Sequence, residues 1–256
     1  MIIPICRLSI FGDFRMLEPT SSNVVTWTQA LQGAGYEMLP NVIQPTEPVL
    51  LPTGPHIPPQ FIQFSESNKS ATKQLLRLTN QRIDAECAII DSEPWQEVLK
   101  GIFDSLLKLI RVGSGFAHDT KGTRLAYYVD LIVKELTPRA FQDFYCNNNF
   151  GLFFGDSGMT DCVEWTHRFN QNRSLMTASG EETCNLILLM EKSNISKVSP
   201  DTLKSEKYEG LRVSADLNTL RENNTPRFSV NDMDVFCHAA MESHINILQS
   251  VVEMLK

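Results

Sequence analysis

The stretch RIDAECAI, Arg82 to Ile89, sets Ile83, Ala85, Cys87 and Ile89 against Arg82, Asp84 and Glu86 in strict alternation. Successive side chains of an extended chain point to opposite faces, so this pattern predicts a strand with one dry face and one wet face. Working back, Lys73 to Ile90 reads as one long strand or as a hairpin bent near Asn80. Working forward, Glu93 to Val112 changes period. Trp95, Val98, Leu99, Ile102, Leu106 and Leu109 fall on one face of a helix, and Gly113 stands where a C′ glycine would close it. Half-wet strands followed by a helix with one apolar stripe predict an α+β fold, with long amphipathic helices lying on antiparallel sheet.

The same order extends in both directions. Residues 3–11 read as a strand. Thr20 or Ser21 caps a helix through Val24, Trp27, Ala30 and Leu31, which closes at Gly33-Ala34-Gly35. Glu37 to Gln44 and Gln60 to Ser65 read as strands. Between them lie Pro45, Pro48, Pro52, Pro55, Pro58 and Pro59. Proline fixes φ and lacks a donor, so the reading here is a loop or extended arm rather than sheet. Thr123 to Leu136 reads as a strand, with helix left open. Pro138 suits the first turn of a short helix ending near Tyr145. Cys162 to Met176, Thr183 to Ser193 and Leu211 to Leu220 read as strands, and Ser229 caps a last helix, Val230 to Lys256. Residues 1–113 and 123–256 thus show a similar order of elements without a self-alignment, in two halves or in one continuous domain.

The chain has 256 residues, 42% hydrophobic and 21% charged, enough for a substantial core. Its net charge of −7 argues against a polyphosphate backbone as partner, because phosphate contacts supply most non-specific nucleic-acid affinity. Cysteines 6, 87, 146, 162, 184 and 237 form no C-x-x-C pair, and free buried thiols are expected. No signal peptide or membrane span is recognised, so a cytoplasmic protein is expected.

Several motifs invite chemistry. The run GDSG, Gly155 to Gly158, spells the serine context of chymotrypsin-like proteases. His56 and His118 lack the matching context, and Met159-Thr160 is the wrong continuation, so a glycine-bounded turn is the reading. Asp84 and Glu86 share a strand face, and Asp216 lies in a second polar pair. Two acidic residues at i, i+2 can hold a divalent cation with substrate phosphate, so Asp84, Glu86 or Asp216 would serve nuclease chemistry. His238 and Glu242, four apart on a helix, make a weak chelating pair with His244 nearby. Arg82, Arg168, Arg173 and Arg212 lie on strands, some beside aromatics, and are the residues that would bind an anionic ligand or stack bases. Phosphate-loop motifs are missing, and no cofactor is expected.

The strings PQFIQF, LLRLTNQRIDAE, PWQEVLKGIFDSLLKL, TRLAYYV and ADLNTLRENNTPRFS, in this order, resemble a sporadically distributed family of uncharacterised bacterial proteins of about this length. The resemblance brings no catalytic residues. It implies a mobile, defence-related gene acting beside a partner gene. The sequence as a whole predicts a non-enzymatic interaction or adaptor subunit with a protein partner or a second copy of itself. A small-ligand or nucleotide sensor and a metal-dependent nuclease remain as alternatives.

Overall fold

A computed structural model describes residues 2–45, 49–51, 54–56, 59–66, 72–89, 94–118, 120–134, 166–198 and 205–254. The GDSG turn, the short helix after Pro138, Cys146 and Cys162 lie outside these residues.

The architecture is α+β. Nine antiparallel strands form one sheet. In chain order the elements are β1 (Ile2–Phe11), α1 (Ser21–Gly33), β2 (Met38–Ile43), β3 (Val49–Leu51), β4 (Gly54–His56), β5 (Phe61–Glu66), β6 (Thr72–Leu78), β7 (Arg82–Ile89), α2 (Trp95–Gly115), β8 (Arg124–Lys134), β9 (Thr166–Thr177), β10 (Gly180–Val198), β11 (Ser205–Thr219) and α3 (Val230–Met254). The large sheet runs β2-β5-β6-β7-β1-β8-β11-β10-β9. β1 pairs with β8 at its centre, so both ends of the chain contribute to one sheet.

The stretch that opened the reading is β7. Its dry residues Ile83, Ala85 and Cys87 are buried beside Cys6, Leu8 and Ile10 of β1. The bend near Asn80 is a hairpin turn, in which Thr79 Oγ1 accepts from the Gln81 and Arg82 amides. α2 lies over β6, β7 and β1, and α3 over β8, β9 and β11. Tyr127 of β8 joins the two helices to the sheet, with Phe103 of α2 edge-on at 5.6 Å and the His244 ring of α3 at 4.8 Å. α1 sits on the same side, where Trp27 stacks on Phe116 just past α2.

Helix ends follow the sequence in two cases. Thr20 accepts from the Asn23 amide at the start of α1. Ser229 and Asp232 bond reciprocally at the start of α3, where Asp232 also accepts from the Ser179 amide. Two expectations need correction. Gly113 does not close α2, which runs on to Gly115. A Cβ at Gly113 would stand 2.8 Å from Leu76 Cδ1 and 3.2 Å from Ile83 Cγ2, so the glycine is there for close helix–sheet approach. The proline-rich segment is not all loop, because β3 and β4 pair as a small ribbon with Pro55 opposite Leu50. A two-stranded ribbon has only edge strands, where proline is tolerated.

Candidate functional site

Three helices cover one face of the sheet, and no described helix lies on the other. That second face carries the polar side of the strands, and at its centre Ser9, Asp84, Asp130, Ser214 and Asn218 are buried. Direct cross-strand partners share a face, which gives its rows: Arg77–Asp84–Ser9–Ala126–Asn218–Asn185 and Glu86–Arg7–Tyr128–Asp216–Ile187. A third row holds Asp130, Ser214, Leu189 and Arg168, and Arg212 faces Glu191 alongside it.

The two buried carboxylates at the centre of this face are each paired with arginine. Asp84 is fully buried. Ser9 Oγ donates to its Oδ1 at 2.6 Å. Arg82 Nε lies 2.7 Å from Oδ2 and Arg77 3.7 Å from it. These are ion pairs without hydrogen-bond alignment, since Oδ2 receives no hydrogen bond among the described residues. Asp130 forms a counterpart: Arg212 Nε reaches both its oxygens at 3.0 and 2.9 Å, and Ser214 Oγ donates at 2.9 Å. Arg212 also donates to Glu191, and these carboxylates hold its guanidinium well above its usual pKa. Sequence reasoning passed over Asp130. Its signal was a lone carboxylate inside the apolar run of β8, which a central strand must pair.

The predicted site residues divide accordingly. Arg82, Asp84, Glu86, Arg168, Arg212 and Asp216 share the open face. Arg173 lies on the helix side, where it donates to Ser243 of α3 at 3.2 Å. The carboxylates do not converge. β1 and β8 separate β7 from β11, which sets Asp84 and Asp216 about 14 Å apart across the sheet at the usual strand spacing, and one row apart along it. Glu86 lies 3.7 Å from Arg7. Among the described residues no group of three or more His, Cys, Asp or Glu side chains could hold a metal ion, so Asp84, Glu86 and Asp216 do not form one joint cation site. On α3, His238 is exposed with Nδ1 at the Asp234 carbonyl. His244 is buried against Tyr127 and donates from Nε2 to the Ala215 carbonyl at 2.9 Å, and burial pushes its pKa down to about 4.

Thiolate chemistry is suppressed at the described cysteines. Cys6, Cys87, Cys184 and Cys237 are free and buried. Burial raises the first three to about 12 and Cys237 further, so they stay thiols near neutrality.

At one end of the open face the sheet dips into a cleft of about 800 Å³. Its walls are the β1 end, the β6–β7 turn and the loop before α3. The turn is tied to β1 by Gly12 N donating to the Gln81 carbonyl and Phe14 N to the Asn80 carbonyl, at 3.0 and 2.8 Å. Arg227 fastens the loop, donating to Glu182 and to the carbonyls of Thr123 and Asn223. Arg124 enters the cleft with its guanidinium 4.0 Å from the Phe11 ring centre, and Arg82 is 5.7 Å from the same ring.

No protein-family profile, curated protein or solved structure matches the chain. The helices described include none long and apolar enough to cross a membrane.

Proposed function

We propose that the chain acts by binding, as an interaction subunit that takes an extended acidic strand of a protein partner onto the outer edge of β9. The observation that carries this reading is the contrast between the two edges of the sheet that the described strands form. β9 is twelve residues long and largely exposed, and it contains no proline and no carboxylate. Its charged side chains are Arg168 and Arg173, with His167 beside them. The opposite edge, β2, is six residues long and interrupted by Pro40, a common way to block edge pairing. Edge strands present rows of backbone donors and acceptors that an incoming strand can complete, while side chains set specificity. A second copy of the chain would bring basic strand against basic strand, whereas an acidic strand complements it. The resemblance to bacterial proteins that act beside a partner gene fits this reading.

Proline substitution tests it. Neighbouring amides in a strand point to opposite sides, so in Asn170→Pro and Gln171→Pro one proline removes a bond to β10 and the other removes only an outward donor. A fluorescent peptide of alternating glutamate and valine is titrated against wild type and both variants. The expected result is one variant with an unchanged unfolding midpoint and clearly weaker peptide binding. Failure of wild type to bind, or unaltered binding by both variants, would defeat the proposal. Dimerisation without peptide binding would assign the edge to a second copy.

We also propose that the two halves share one plan. Outward from the β1–β8 seam the sheet runs β7, β6, β5 on one side and β11, β10, β9 on the other, and α2 and α3 follow the strands that flank the seam. In a crystal structure, superposing β1, β5, β6 and β7 on β8, β9, β10 and β11 should bring α2 onto α3. Helices left apart would count against it.

A further inference from the structure

We propose that the cleft at the end of the open face binds a small phosphate-bearing anion, with Arg124 and Arg221 as its cationic ligands. This is independent of the β9 reading. Three arginines in or near the cleft are already neutralised. Arg15 makes a two-pronged contact with Asp13. Arg82 is 2.7 Å from Asp84. Arg227 is held by Glu182 at 2.8 Å.

Arg124 is different. Its Nε is buried and has no hydrogen-bond partner among the described residues. Burial and the nearby Arg221 and Arg82 push its pKa down. Asp216, on the neighbouring strand, opposes this; burial raises its own pKa, while a hydrogen bond from Asn218 and the charges of Arg124, Arg7 and Arg221 favour its ionised form. Phe11 supports the guanidinium from one side without supplying an anion. A chain with net charge −7 has acid to spare, yet among the described residues no carboxylate accepts from the buried Nε of this half-buried cation. Desolvated charge is costly unless paired, and an anion in the cleft would complete it.

The surroundings fit a phosphate. Arg124 and Arg221 line the same cleft as the neutral residues Asn80, Gln81 and Asn224 and the mutually paired Asp13 and Arg15. Guanidinium forks match phosphate oxygens two at a time. A cleft of about 800 Å³ also exceeds what one inorganic phosphate needs, so an oligophosphate or a nucleoside phosphate is the class expected. The Phe11 ring already carries Arg124, so its part is to hold the guanidinium.

Calorimetric titration with pyrophosphate at constant ionic strength, alongside thermal unfolding, tests this. Wild type should bind and gain melting temperature, because a ligand that prefers the native state stabilises it. Arg221→Gln and Arg124→Gln should each weaken binding by roughly tenfold or more, as expected for loss of a charge-assisted contact. Arg111→Gln, on the helix side and paired with Asp234, should bind as wild type does. Arg221 is exposed, so its variant carries the test if Arg124→Gln fails to fold. A nucleoside triphosphate that binds more tightly than pyrophosphate places the base in the ligand, and equal affinity points to a free oligophosphate. No binding of pyrophosphate by wild type, undiminished binding by Arg221→Gln, or a preference for citrate over pyrophosphate would overturn the assignment.

Discussion

Asp84 shows how a residue can look catalytic in sequence and be structural in place. Its position beside Glu86 suggests metal chemistry, but it is buried under two arginines and a serine hydroxyl. Removing one member of such a group leaves the others uncompensated, which costs more than the intact group contributes. Asp84→Ala should lower unfolding stability by about 2–4 kcal/mol, less than a wholly buried pair because both arginines keep some solvent, and urea denaturation measures it. His244 offers a second test. Its folded pKa of about 4 lies below the ordinary 6.5, and desolvation is the main cause. Between those two pH values the unfolded chain binds a proton that the native chain refuses, so stability falls as pH drops from 6.5 to 4. The loss amounts to about 3 kcal/mol at 1.36 kcal/mol per pKa unit. The groups packed around His244 are the Tyr127 ring, the carbonyls of Ala215, Ala240 and Tyr127, and Arg173, which adds to the depression. His244→Gln should flatten this part of the stability–pH curve, and unfolding midpoints collected across the range would show it. An equal acid slope in both proteins would remove the histidine from the account.

Elements were legible where one period dominated. β7 alternates cleanly and α2 keeps its stripe over five turns, so both could be placed from the sequence, as could the Thr20 and Ser229 caps. Gly113 was misread because a glycine near the end of a periodic run looks the same whether it caps a helix or lets it approach a sheet. Leu76 and Ile83 decide between these, and they come from other elements. Gly113→Ala should therefore destabilise despite alanine's better helix propensity. The propensity gain is below about 1 kcal/mol, while forcing Cβ to within 2.8 Å of Leu76 costs about 1–3 kcal/mol in a packed core. Thermal unfolding gives the sign directly, and a rise in melting temperature would mean that Leu76 yields. The arginines carry a related lesson. Arg168 and Arg173 are five apart on one strand, and parity alone puts them on opposite faces. The pairing of Asp130 with Arg212, and the distance between Asp84 and Asp216, depend on strand order, which no local pattern contains.

At the scale of the molecule, the β1–β8 seam decides how the chain behaves. Read along the sequence, two similar halves suggest two units, but the sheet crosses the seam with seven consecutive residue pairs in register over Ile5–Phe11 and one more at Ile2 beyond a register shift. One buried cluster runs from Trp27 and Leu31 through Leu8 and Tyr127 to Phe236 and Leu248. Gln96 of α2 donates to Gln249 of α3, and Arg111 of α2 pairs with Asp234 of α3. Separating the halves would bare two central strand edges and the dry flanks of both helices, with no local interaction to replace them. Unfolding should therefore be a single transition. In a Trp165→Phe background, the remaining tryptophans Trp27 and Trp95 are both buried in the first half and report on it by fluorescence. Far-ultraviolet circular dichroism reports on strands and helices of both halves. Coincident urea midpoints from the two probes are expected. An earlier fluorescence transition would mean that the first half opens alone, and that the seam is a contact between two separately stable units.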